Sequence, residues 1–151
     1  MEEISGYLDR ELVTFPDLKT RDPVLEVLVD LFENQGKLSD KKAFLAKIRE
    51  REELVSTGIG FGVAIPHAKL PDFGNFFIAI AVLKHPVEWG ALDGTPVRLI
   101  FMIGGPDDKQ NEYLKILSKL TVVIKDEALR EKLLQATTPD QVYGYLALNN
   151  G

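Results

Sequence analysis

Apolar positions recur along this chain with two different periods, and the change between them divides it into three parts. In the first part Val24, Leu25, Leu28, Leu31 and Phe32 return every three or four residues, the spacing that gathers side chains on one helical face. Asp22-Pro23 reads as an N-cap followed by proline at the first helical position, and Gly36 as the stop. A second helix is expected from a Ser39 cap, with Phe44, Leu45 and Ile48 on one face and Lys41, Lys42, Lys47 and Arg49 around the other. Ahead of both, the stretch Glu11 to Phe15 suits a short edge strand.

The middle third switches to strand signals. Gly58-Ile59-Gly60-Phe61-Gly62-Val63-Ala64-Ile65 alternates with a period of two and predicts a strand with glycine on one face. Asn75 to Leu83 and Val97 to Ile103 are rich in Ile, Val and Phe, as central strands covered on both faces are. Between them Leu92-Asp93-Gly94-Thr95-Pro96 carries turn chemistry. The last third is helical again. Asp107 or Asp108 starts a helix bearing Leu114, Leu117, Leu120 and Ile124, and Asp126 starts one bearing Leu129 and Leu133. Thr138-Pro139-Asp140-Gln141 fits the capping box of a final helix bearing Val142, Tyr145 and Leu146. Helices on either side of a strand-rich middle predict an α/β sandwich, a mixed β-sheet flanked by helices on both sides, in one domain spanning residues 1–151. The strand order is not readable from these signals.

Composition narrows the function. A net charge of -5 on 151 residues argues against nucleic-acid binding, which wants a basic face. The absence of cysteine excludes disulfides, thiolate catalysis and cysteine-held metals. The acidic start, Met1-Glu2-Glu3-Ile4-Ser5, lacks the regions of a secretory signal, and the apolar run from Phe76 to Leu83 is far short of the roughly 20 residues that span a bilayer. A cytoplasmic protein without membrane insertion is expected.

The segment that carries chemistry is Ser56 to Ala68. Its glycines let another backbone approach closely, and Pro66 holds Ile65 extended. His67 follows at the exit of the strand, where ligand sites of α/β folds tend to lie. A neutral imidazole is a good nucleophile near pH 7, and its phosphoramidate gives the group up readily once the ring is protonated. On the residues alone, a hydrogen-bonded turn histidine accounts for His67 better than a nucleophile does. Arg51 reads on the same terms as a solvated cation at a helix end, and Ser56 and Thr57 as turn caps or hydroxyl donors. Two histidines eighteen residues apart make a poor metal-ligand set, so a metal-dependent hydrolase is disfavoured. No P-loop is present, and the glycine spacing does not match a dinucleotide fingerprint.

The string Ala64-Ile65-Pro66-His67 after a glycine-rich strand resembles the active-histidine signature of the fructose/mannitol-type enzyme IIA domains of the bacterial phosphotransferase system, a family that includes the nitrogen-regulatory IIA proteins. The likeness extends over nearly the whole chain, taking in Arg51-Glu52-Glu53-Leu54, Ser56-Thr57-Gly58 and Trp89 to Val97. It implies that His67 accepts a phosphoryl group from phosphorylated HPr and passes it to the IIB component of a sugar permease. It also implies that Arg51, sixteen positions upstream, stabilises the phosphate; Thr57 and Ser56 could add hydroxyl donors or equally cap a turn. No cofactor or metal is implied, since donor and acceptor are both phosphoproteins. The nitrogen-type alternative is a switch whose phosphorylation state controls binding to transporters or kinases. The chain departs from the family at one point: Tyr113 stands forty-six positions beyond His67, where a second active-site histidine is usual. A phenol stays neutral near pH 7 where an imidazole can be cationic, which puts onward transfer in question. Phe61, Ala68 and Phe73 are candidate apolar contributors to a docking surface around His67, with burial in the core an equal alternative for the two phenylalanines. His85, in Lys84-His85-Pro86, falls at a loop or strand end and reads as an exposed turn residue.

Overall fold

The structure, a computed structural model, describes residues 4–71 and 73–148. Two short 3-10 turns (Ile4–Tyr7 and Arg10–Leu12) lead into β1 (Val13–Thr14), followed by α1 (Arg21–Asn34) and α2 (Lys41–Leu54). Then come β2 (Gly58–Gly60), β3 (Val63–Ala64), β4 (His67–Lys69), β5 (Phe77–Val87) and β6 (Val97–Gly105). The chain closes with α3 (Gln110–Lys125), α4 (Glu127–Gln135) and α5 (Pro139–Leu148). The six strands form one mixed sheet in the order β1-β5-β6-β3-β2, with β4 also paired to β6.

The long antiparallel pair β5–β6 is the spine, running in register from Phe77 opposite Gly104 to Val82 opposite Leu99. Strand alternation sorts its side chains into two cores. Ala79, Ala81, Leu83, Ile100 and Met102 face α1 and α2, where Leu28, Phe32, Phe44 and Ile48 are buried. Ile78, Ile80, Val82, Leu99, Phe101 and Ile103 face α3, α4 and α5, where Ile116, Leu120, Leu133 and Val142 are buried. The α/β sandwich with helices on both faces is therefore as expected. Continuous apolar runs in β5 and β6 are the direct consequence of a sheet covered on both sides.

Several local expectations need correction. Thr20, not Asp22, is the N-cap of α1, and Pro23 lies in its first turn rather than at its first position. Asp40, not Ser39, caps α2, its carboxylate accepting from the Ala43 N–H at 3.0 Å. The caps moved by only one or two residues because neighbouring polar residues offer nearly equivalent oxygens. Helix α3 starts at Gln110, later than Asp107 or Asp108. Its buried face is Tyr113, Ile116, Leu120, Val123 and Ile124, leaving Leu114 exposed. At α4 and α5 the expected caps are found. Asp126 accepts from the Leu129 N–H at 3.1 Å, and Thr138 and Gln141 cap one another's backbone N–H at 3.2 Å each.

The largest difference lies at the glycine segment. Gly58 to Ile65 is not one strand but a hairpin of β2 and β3, turned at Phe61 and Gly62 with φ of 60° and 73°. Positive φ at both central residues is the geometry of a tight hairpin turn matched to strand twist, and a phenylalanine at the first of them is unusual. Asp93 steadies the tip by accepting from the Phe61 N–H at 3.2 Å, while its other oxygen accepts from the Thr95 N–H at 3.0 Å. His85 is exposed near the end of β5, 3.1 Å from Asp17, so the strand-end placement holds and the turn reading does not.

Candidate functional site

His67 does not leave a strand; it opens one. β3 and β4 pair in turn with β6, parallel to it, Val63 opposite Leu99 and His67 opposite Ile103. Pro66 sits at the break between them. Its missing N–H costs no ladder bond there, and its carbonyl still accepts from the Ile103 N–H at 2.9 Å. Beyond Gly105 a four-residue connection turns the chain into α3, so the first turns of that helix lie beside β4. Gly105 is needed for this closure. A Cβ there would fall 1.9 Å from Cδ1 of Phe76, the ring that backs Tyr113 at a centroid separation of 6.3 Å.

The half-buried His67 ring lies 5.4 Å, centroid to centroid, from the ring of Tyr113. Its Nδ1 is 3.2 Å from the Ile65 carbonyl oxygen. A carbonyl can only accept, so Nδ1 carries the proton and Nε2 keeps the lone pair. Burial holds the imidazole pKa below its ordinary value. The Ile65 carbonyl works against that shift, the charges of Arg51 and Lys69 add to it, and Glu52 opposes it. The net shift favours the neutral ring, with the proton on Nδ1 and the lone pair on Nε2.

Arg51 lies in the last turn of α2, where its Nη1 donates to the Val55 carbonyl at 2.6 Å. Its charge acts to lower the pKa of both His67 and Tyr113. Burial raises the pKa of the Tyr113 phenol, with Arg51 working the other way, so the hydroxyl stays protonated and able to donate. Of the three candidate residues, His67 and Tyr113 are in ring contact, while Arg51 acts on both through its charge.

Ser56 and Thr57 are committed elsewhere. Thr57 is buried, and both its N–H (3.1 Å) and its hydroxyl donate to the Glu52 carboxylate. The Ser56 hydroxyl donates to the Trp89 carbonyl at 2.7 Å and accepts from the Gly58 N–H at 3.0 Å. Neither hydroxyl is left for a phosphate, and both act as ties between α2, β2 and the loop after β5. Ala68, a candidate for a docking surface, is instead in the core, and Phe73 takes the core position that was its equal alternative. Phe73 packs edge-on against Phe44 at 5.5 Å and Phe32 at 6.4 Å. Phe61 is exposed, but at the hairpin tip, beneath the Arg130 guanidinium at 4.8 Å.

Sequence reasoning passed over two residues. Glu52 is only 4% exposed, and its carboxylate accepts from Thr57 and from the Trp89 indole N–H at 3.0 Å. Its position four residues after Ile48, on the buried face of α2, was the available signal. Lys69 lies two residues beyond His67 on the same face of β4, and strand alternation was enough to place it there.

A family model described as "Phosphoenolpyruvate-dependent sugar phosphotransferase system, EIIA 2" matches residues 6–148. The chain is 35% identical over 146 residues to the fructose-specific EIIA component of Haloferax volcanii, covering 96% of this chain and 95% of that protein. It is 38% identical over 124 residues to the fructose-specific EIIABC component of Bacillus subtilis, covering 82% of this chain but only 20% of that much longer protein. Among solved structures, the nitrogen regulatory protein IIA-Ntr of Neisseria meningitidis superposes with a TM-score of 0.87 at 30% identity, covering 95% of this chain and 98% of that one.

Proposed function

The chain belongs to the EIIA 2 family of the phosphoenolpyruvate-dependent sugar phosphotransferase system, and from that premise we propose that it is a phosphohistidine carrier, loaded on Nε2 of His67 by phosphorylated HPr and discharged to the IIB component of a sugar permease. The observation that carries the reading is the Nδ1–H hydrogen bond from His67 to the Ile65 carbonyl, which leaves Nε2 as the only ring nitrogen with a lone pair to offer. In the loading step that lone pair attacks phosphorus. An N–P bond forms at Nε2 as the N–P bond of the donor's protonated phosphohistidine breaks, and its electron pair returns to the donor ring. The positive charge passes to the His67 ring, whose Nδ1–H keeps its carbonyl partner, so no proton has to move. Discharge is the same step reversed with a new acceptor.

Arg51 supplies charge to the phosphoryl oxygens, and Tyr113 supplies a neutral O–H donor. Thr57, bonded to Glu52, and Ser56, bonded to Trp89 and Gly58, position the end of α2 that carries Arg51 rather than touching phosphate. No cofactor enters this chemistry. Among the described residues no helix is long and apolar enough to cross a membrane. A cytoplasmic carrier working beside a membrane permease is the setting proposed, and residues 1–151 act as a single IIA unit.

A regulatory role is the second reading, in which phosphorylation of His67 switches binding to a transporter or kinase. It is supported by the 30% identity to a nitrogen regulatory protein and by Tyr113, because a switch needs acceptance more than rapid discharge.

Incubation with enzyme I, HPr and phosphoenolpyruvate tests both readings. One phosphoryl group per chain is expected, absent from His67→Ala, and robust incorporation in that variant would overturn the assignment. Rapid discharge to a IIB protein selects the transport role, and retention of the group selects the regulatory one.

A further inference from the structure

Strand β4 delivers a second cation to the same place as His67. Its alternation sends Ala68 into the core on the α1–α2 side and leaves His67 and Lys69 on the face toward α3. The Lys69 ammonium lies 3.8 Å from the centroid of the Tyr113 ring, the ring that His67 itself contacts. Its side chain donates to the neutral carboxamide oxygen of Gln110, at 2.5 Å. Among the described residues it has no carboxylate partner.

We propose that Lys69 is a second phosphate-stabilising residue of this site, one that supplies from β4 the positive charge missing at position 113. The proposal rests on the phosphohistidine reading of His67. An aromatic face holds an ammonium in place without neutralising it, and a carboxamide takes up one of its three N–H donors. Two donors and a full charge are left for an arriving anion. Partial burial already disfavours the charged form of Lys69, so a dianionic phosphoryl group on His67 would restore what the lost water no longer provides. With Arg51 on α2 and Lys69 on β4, the phosphoryl oxygens meet cations from two separate elements. Tyr113 then has a double part, as a platform that aims Lys69 and as the neighbour of the reacting ring. A lysine stays charged well above the pH at which an imidazole loses its proton, so this arrangement keeps its charge where a histidine pair would not.

Lys69→Met separates charge from packing, because the thioether chain can still lie on the Tyr113 ring. The readout is the initial rate of phosphorylation by phospho-HPr, with the thermal midpoint recorded alongside. Lys69→Met is expected to slow loading by about tenfold or more, with an unchanged midpoint, and Lys69→Arg to recover most of the rate. A wild-type rate in Lys69→Met would overturn the proposal while leaving the His67 reading intact, and so would equal losses in the Met and Arg variants. Failure of the wild-type chain to take up any phosphoryl group would overturn both.

Discussion

His67 is held between influences of opposite sign. Burial and the cations Arg51 and Lys69 favour the neutral ring, while the Ile65 carbonyl and Glu52 favour the protonated one, and the net effect is a lowered pKa. The direction has a kinetic consequence. A free imidazole loses half its nucleophilic form at about pH 6.5, so loading of His67 should hold its rate through that pH and fall only at lower values. Stability follows the same sign. As pH falls through the ordinary histidine value the unfolded chain takes up the proton first, so the contribution of the neutral ring is present above about pH 6.5 and lost below it. Initial rates of phosphorylation between pH 5 and 8 check this. A half-point at or above about 6.5 would contradict the burial of the ring. Tyr113 was legible as a departure from the family pattern, but its partnership with Lys69 was not. That pairing depends on the short connection after β6, which brings α3 back over β4.

The elements show why some of the chain read easily and some did not. Helices α1 and α2 and strands β5 and β6 declare themselves because each has a long run of one period backed by burial. The glycine segment does not, because Gly58, Gly60 and Gly62 mimic alternation while the backbone actually reverses at Phe61-Gly62, a turn hidden by a phenylalanine where asparagine or glycine is usual. The join between α2 and β2 was likewise unreadable, since it depends on one buried carboxylate meeting donors from Thr57 and Trp89, which are far apart in sequence. Replacing Glu52 with alanine strands those buried donors, and the expected cost is about 2–4 kcal/mol. Urea unfolding measures the loss, and the Trp89 emission, arising from the chain's one tryptophan, should shift as the indole loses its acceptor. The same variant should load His67 more slowly, because Arg51 sits at the loosened end of α2. Unchanged stability would mean that the network does not tie α2 to β2.

At the scale of the molecule, the sheet separates two cores, and the site forms where elements from both meet. α1 and α2 pack on one face and bring Arg51; α3 packs on the other and brings Tyr113; β4 carries His67 and Lys69 along β6 between them. On the proposed reading, this arrangement makes Nε2 of His67 the phosphoryl acceptor, because the Ile65 carbonyl occupies Nδ1. The most direct measurement is phosphorus NMR of the protein loaded from enzyme I, HPr and phosphoenolpyruvate, with ring-nitrogen labelling of histidine to assign the N–P bond. A single phosphoramidate on Nε2 of His67, absent in His67→Ala, is the predicted result. A phosphoryl group on Nδ1, on His85 or on a residue outside the histidines would contradict it.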